Sequence, residues 1–197
     1  MSEEEASIPE QKRAAGGRRG GRMHSARRNP HQMRMNFKRM GRELAMQFLF
    51  QCDLTDGEQT PEMLERFWEQ ATESGEFPQN RVFRKARSYA VRLLSGVQTH
   101  ETELLDTIAR LSLKWDSERM SAVDRNIMKI ALYEMKYCPE IPPLVSIDEA
   151  IEIAKAFSSE KSGNFINGIL NKAKEELPAN RLAGIVPPPE QKEKGME

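Results

Sequence analysis

Apolar residues recur at every third or fourth position over most of the chain, which is the spacing of one buried helix face. The clearest part predicts three consecutive helices between Ser121 and Leu177. A capping-box pattern at Ser121 opens the first of these helices, and Ser146 opens the second. Because proline lacks a backbone donor, the prolines at positions 139, 142, 143 and 178 are expected to end helices.

The front half of the chain continues the helical pattern. Four more helices are predicted between Arg39 and Leu113, one of them opened by Thr60 and Pro61. No segment alternates with the period of two that strands require. The fold class is therefore predicted to be all-α, with about seven helices in two small packed bundles that share a core and meet near residues 115–121.

Charge divides the chain into an arm, a body and a tail. The formal net charge is +0, yet residues 11–42 carry eleven Lys or Arg and no acidic residue. Residues 43–197 carry nineteen basic and twenty-six acidic residues. Residues 1–36 are predicted to be a disordered Arg/Gly-rich arm, because glycine is costly to order and offers no side chain to bury. Residues 37–178 form the helical domain, and residues 179–197 form a flexible Pro-rich, charged tail.

A basic arm on an acidic body favours a polyanionic partner. Nucleic acid fits better than a membrane, because, apart from Met23, bulky apolar residues appear among the arginines only at residues 33–37. The alternative is that the arm only keeps the protein in solution.

The sequence shows little sign of catalysis. His24 and His31 lie in the arm, and His100 has no evident partner for a metal site. No glycine-rich phosphate loop follows a strand. Cys52 and Cys138 are isolated, as expected of buried free thiols in a reducing cytoplasm. No apolar run is long enough to span a bilayer. We therefore predict a cytoplasmic, non-enzymatic binding protein with no cofactor and no metal.

The first candidate RNA-binding surface is on the first helix. With the buried stripe centred near Phe48, the opposite face carries Arg39, Arg42, Met46 and Phe50. Guanidinium groups bind phosphates and a flat ring stacks on an unpaired base, so this face suits single-stranded RNA. The alternative is that Phe50 packs against the second bundle and the arginines cover its edge.

The second candidate surface is the start of the last predicted helix, at Lys161, Asn164 and Phe165. Unpaired backbone donors at a helix N-terminus favour an anion, and Lys161 adds a positive charge. The alternative for Phe165 is an ordinary place in the core.

Four sequence blocks resemble the NusB family of bacterial transcription antitermination factors. They are RMGRELAMQFLFQCDL (39–54), AVDRNIMKIALYEM (122–135), IPPLVSIDEAIEIAKAF (141–157) and KSGNFINGIL (161–170). The resemblance implies a fold of two three-helix bundles and RNA binding through the first helix and the segment before it. The family commonly has an acidic residue where this chain has Lys161, a change that should strengthen RNA attachment.

The resemblance also implies partners. Family members pair with NusE, a ribosomal protein, and the pair binds boxA RNA and helps RNA polymerase to pass terminators in ribosomal RNA operons. An acidic body suits a basic ribosomal protein. The sequence leaves open a homodimer of free copies.

Two other readings remain. In one, the chain is the RNA-binding part of an RNA cytosine methyltransferase. Such an enzyme would need a further α/β domain, and we expect this chain to have no room for one. In the other, it is a protein-interaction module with no RNA role.

Overall fold

The computed structural model describes residues 30–55, 59–74, 80–112, 120–159 and 161–182, with side chains from residue 37 onward. These residues form eight helices and no strand. The helices are α1 (Pro30–Leu54), α2 (Pro61–Glu73), α3 (Arg81–Thr99), α4 (Glu101–Ser112), α5 (Ala122–Tyr137), α6 (Pro143–Phe157), α7 (Ser162–Glu175) and the short α8 (Ala179–Leu182). The predicted all-α class is confirmed. Most of the predicted boundary between the bundles lies outside the described residues. The same holds for residues 1–29 of the predicted arm and residues 183–197 of the predicted tail.

Two helix starts follow the predicted capping chemistry. The Thr60 hydroxyl accepts a hydrogen bond from the backbone amide of Met63 at 3.2 Å, and Pro61 lies in the first turn of α2. The Ser121 hydroxyl accepts the Asp124 amide at 3.0 Å. Each side chain satisfies an amide that has no partner within its helix.

Three boundaries differ from the prediction. α6 begins at Pro143, not at Ser146, because proline is tolerated in a first turn, where its missing donor is not needed. α1 begins at Pro30, within the predicted arm, and α8 lies within the predicted tail. The helical part is therefore longer at both ends than residues 37–178.

The two groups of helices share one core, as predicted. α1 packs mainly on α3 and also on α5, and α5 packs in turn on α4, α6 and α7. The fully buried side chains come from both halves of the chain, and they include Phe48, Leu93, Leu104, Met128 and Ile166. α1 is therefore covered on two sides, which determines which of its polar residues reach the surface.

Two further sequence features can be placed. Cys52 and Cys138 are buried and unpaired, as predicted. Among the described residues, no helix combines the length and apolarity needed to cross a bilayer.

Candidate nucleic-acid interface

The arginine face predicted on α1 is partly buried. Arg42 is only 3% exposed, and Met46 only 2%. The Arg42 Nε donates to both carboxylate oxygens of Glu134, at 2.9 and 3.1 Å, and its Nη1 donates to Glu149 at 3.2 Å. The prediction that Arg42 and Met46 face outward is wrong, because α1 is covered by α3 on one side and by α5 on another. A helical wheel that assumes one buried face cannot show this.

Glu134 is the centre of this buried network. Its side chain is 0% exposed, and it also accepts hydrogen bonds from the Tyr89 hydroxyl and from Ser146 Oγ, the latter at 2.8 Å. Burial disfavours the charge on Arg42, but Glu134 acting together with Tyr89 and Glu149 outweighs this effect, so the pKa of Arg42 is raised. The network joins α1, α3, α5 and α6. We interpret Arg42 as a residue that holds the helices together.

Arg39 is more accessible than Arg42, but its guanidinium already forms ion pairs with two carboxylates. Its side chain is 25% exposed; its Nε lies 2.6 Å from Glu43, and its Nη1 lies 3.5 Å from Glu149. Phe50 is half-buried and lies eleven residues further along α1, roughly 16 Å along the helix axis. The predicted cluster of one ring beside two guanidinium groups is therefore wrong.

A second network holds the start of α7. Asp124 of α5 accepts hydrogen bonds from Ser158 Oγ at 2.7 Å and from Ser162 Oγ at 3.0 Å, and Ser159 Oγ lies 2.8 Å from Ser162 Oγ. Asp124 and Ser162 are buried. These contacts fix the turn between α6 and α7 against α5. Sequence reasoning missed this role, although three serines close to the predicted helix break were a usable signal.

The start of α7 carries the second predicted surface. Lys161 and Asn164 are exposed, and neither side chain has a hydrogen-bond or ion-pair partner among the described residues. Phe165 is half-buried and packs against the core with part of its surface. A cation, an amide and part of a ring thus lie within about one turn of a rigid helix start, an arrangement that can bind a phosphate and an unpaired base.

Other polar clusters give no sign of a metal centre. In the described parts of the chain, no group of three or more His, Cys, Asp or Glu residues is placed to hold an ion. His100 caps α3, and its ring stacks on Tyr137 with centroids 3.8 Å apart.

Comparisons with known proteins agree on one family. A family model described as "NusB family" matches residues 39–175. The transcription antitermination protein NusB of Myxococcus xanthus is 41% identical over 138 residues, which cover 70% of this chain and 94% of that protein. A solved structure of T. maritima NusB has a TM-score of 0.61 and 31% identity, and the match covers 74% of this chain and 96% of that one.

A structure of antitermination factors NusB and NusE in complex with double-stranded RNA shares the fold. Its TM-score is 0.58 at 22% identity, covering 72% of this chain and 98% of that one.

Proposed function

The chain belongs to the NusB family of transcription antitermination factors, and from this premise we propose that it pairs with NusE and binds boxA RNA of ribosomal RNA operons. The observation that carries the proposal is the match to the family over residues 39–175. A matched structure of NusB with NusE and RNA supports a composite site, in which protein pairing and RNA contact strengthen each other. In this proposal the chain works in the cytoplasm, within the antitermination complex of RNA polymerase.

The start of α7 is the principal RNA contact in this proposal. Lys161 is exposed, and binding of a phosphate to it would break no ion pair among the described residues. Asn164 adds donors and an acceptor within one turn, and the exposed part of the Phe165 ring offers a stacking surface. Because Asp124 holds this turn, little ordering is needed when RNA binds.

The residues of α1 contribute less. Arg39 must release Glu43 or Glu149 before its guanidinium can take a phosphate in full, and Phe50 is too distant to share that nucleotide. In this proposal Arg42, which is buried, does not contact RNA.

The test is a titration of labelled boxA RNA with the full chain, with and without NusE, beside a scrambled RNA. We expect weak binding by the chain alone, tighter binding with NusE, and a preference for boxA. Equal affinity for boxA and scrambled RNA in the presence of NusE would contradict the proposal. A chain that binds NusE but no RNA would be a protein-interaction module.

A pair of variants tests the site. Lys161→Gln removes the charge at the start of α7, whereas Lys172→Gln removes the same charge from an exposed position further along the helix. Loss of one phosphate contact reduces the salt slope by about 0.7, which is about fivefold in affinity at about 0.1 M salt. Only Lys161→Gln is expected to show this loss. If the two variants bind equally well, Lys161 is not a contact.

A further inference from the structure

α3 carries an unusual charge for this body. It contains five Lys or Arg and no Asp or Glu, although residues 43–197 as a whole are acidic. Arg81, Arg84, Lys85 and Arg92 are all exposed, at spacings that place them along one stripe of the helix. The basic stripe extends for eleven residues, about 16 Å.

The stripe borders an open groove of about 630 Å³, which we call the α3 groove; its lining includes Phe37, Arg81, Arg84, Lys85 and Tyr89. The half-buried ring of Phe37, from α1, meets Tyr89 edge to face with centroids 6.3 Å apart. The Lys85 Nζ lies 5.7 Å from the centroid of Phe37. The groove therefore combines several cations with a partly exposed ring.

Three of these cations lack an ion-pair partner in the part of the chain that the structure describes. Among the described residues, no carboxylate lies within ion-pair distance of Arg81, Arg84 or Lys85. The other two cations of α3 are paired: Arg87 with Glu65 at 3.2 Å, and Arg92, at the far end of the stripe, with Glu140.

Folding does not explain this arrangement. Like charges four residues apart, as at Arg81 and Lys85, destabilise a helix slightly. Within the described residues, Arg92 gains an ion pair and Lys85 a contact with the Phe37 ring, but the repulsion among the cations remains, and an anionic partner would remove it.

We propose that the α3 groove binds the phosphate backbone of single-stranded RNA that flanks the boxA element, without reading its sequence. This inference rests on the proposed function, because the start of α7 holds the recognised element. The groove is a separate surface: α3 packs chiefly on α1, whereas α7 packs chiefly on α6 and α5. Arginine binds phosphate in a forked geometry, and a stacking ring favours an unpaired base over a duplex.

The test compares two triple variants of the full chain, each with NusE. The groove variant is Arg81→Gln/Arg84→Gln/Lys85→Gln. The control variant removes the same charge from exposed positions outside the groove, with the substitutions Arg66→Gln, Arg110→Gln and Lys172→Gln. Because all the altered side chains are exposed, both variants are expected to fold. Each protein is titrated with boxA RNA and with boxA RNA that carries an oligouridine extension.

The groove variant should bind boxA RNA as tightly as the natural chain does. It should lose the additional affinity that the oligouridine extension gives the natural chain. Three lost phosphate contacts make the salt slope for the extended RNA shallower by about 2, at most about a hundredfold in affinity at about 0.1 M salt. The control variant should keep the gain. The arm can also contribute to the additional affinity for the extended RNA. Both triple variants retain the arm, so its contribution does not affect their comparison.

Other outcomes overturn the inference. If both triple variants behave alike while boxA binding is normal, the groove is not an RNA surface and only this inference fails. Polyglutamate is titrated in parallel as a model of an acidic protein. If the groove variant loses affinity for polyglutamate but not for RNA, the occupant of the groove is an acidic protein. If the natural chain with NusE binds neither RNA, the proposed function fails as well.

Discussion

Replacing Arg42 by alanine separates a structural role from an RNA-binding role. In the native chain the guanidinium neutralises Glu134, whose side chain is fully buried. Arg42→Ala leaves that carboxylate with the hydrogen bonds from Tyr89 and Ser146 but without its cation. We therefore expect loss of stability, with RNA affinity nearly unchanged in the folded protein.

The magnitude follows from burial. Breaking a buried ion pair by removing one partner costs about 3–5 kcal/mol. For a domain of this size, one kcal/mol lowers Tm by about 3 °C, so a decrease of about 10–15 °C is expected. Arg39→Ala is the control: its side chain is 25% exposed, and an accessible pair contributes about 0–1 kcal/mol, or less than about 3 °C.

The assay is thermal unfolding followed by circular dichroism, with boxA affinity measured at a low temperature where every variant is folded. A second measurement adds Glu134→Gln to Arg42→Ala. Because the double variant no longer buries an unpaired charge, it should lose less stability than the sum of the single variants. An Arg42→Ala protein with native Tm but clearly weakened boxA binding would show that Arg42 belongs to the RNA surface and not to a structural network.

Three further predictions use other parts of the chain. Burial raises the pKa of Cys138 to about 11, so the neutral thiol stabilises the fold below its unfolded pKa of about 8.5, and this contribution is lost as pH rises to about 11. In urea unfolding across this range, Cys138→Ala should make the decline of the unfolding free energy shallower by about 1.4 kcal/mol per pH unit, and an unchanged slope would reject the shift. A Cβ at Gly96 would lie 1.9 Å from the Tyr133 ring, so Gly96→Ala should lower the free energy of unfolding by about 1–3 kcal/mol. Gly163→Ala is the control, because its nearest contact would be at 3.7 Å, and it should not lower this free energy. Equal unfolding midpoints for the two variants would show that the Tyr133 ring moves freely. Deleting residues 11–29, which end just before α1, should flatten the salt slope of RNA binding by several units and keep the boxA preference; an unaltered slope would mean that the arm only aids solubility.

The sequence predicted the helices well because their periodicity and caps are local signals. Ser121 and Thr60 cap the helices they were expected to cap. The start of α6 was misplaced because Pro143 can end one segment and also begin the next helix.

The candidate site was predictable only in part. Lys161 and Asn164 are exposed as expected, since a helix start leaves polar side chains in solvent. Arg42 was misjudged because its partner, Glu134, lies 92 positions away, and no local pattern shows that α1 is covered on two sides. The α3 groove was missed for a similar reason: its ring comes from Phe37 of α1, far in sequence from the cations that flank it.

In the proposed complex the start of α7 contacts RNA while Arg42 stays buried. We would test this arrangement by nuclear magnetic resonance of the isotope-labelled chain in complex with unlabelled NusE, before and after boxA RNA is added. We expect the amide signals of residues 161–165 to shift most strongly and the Nε signal of Arg42 not to move. Unshifted amides at residues 161–165, with the Arg42 signal displaced, would contradict this arrangement.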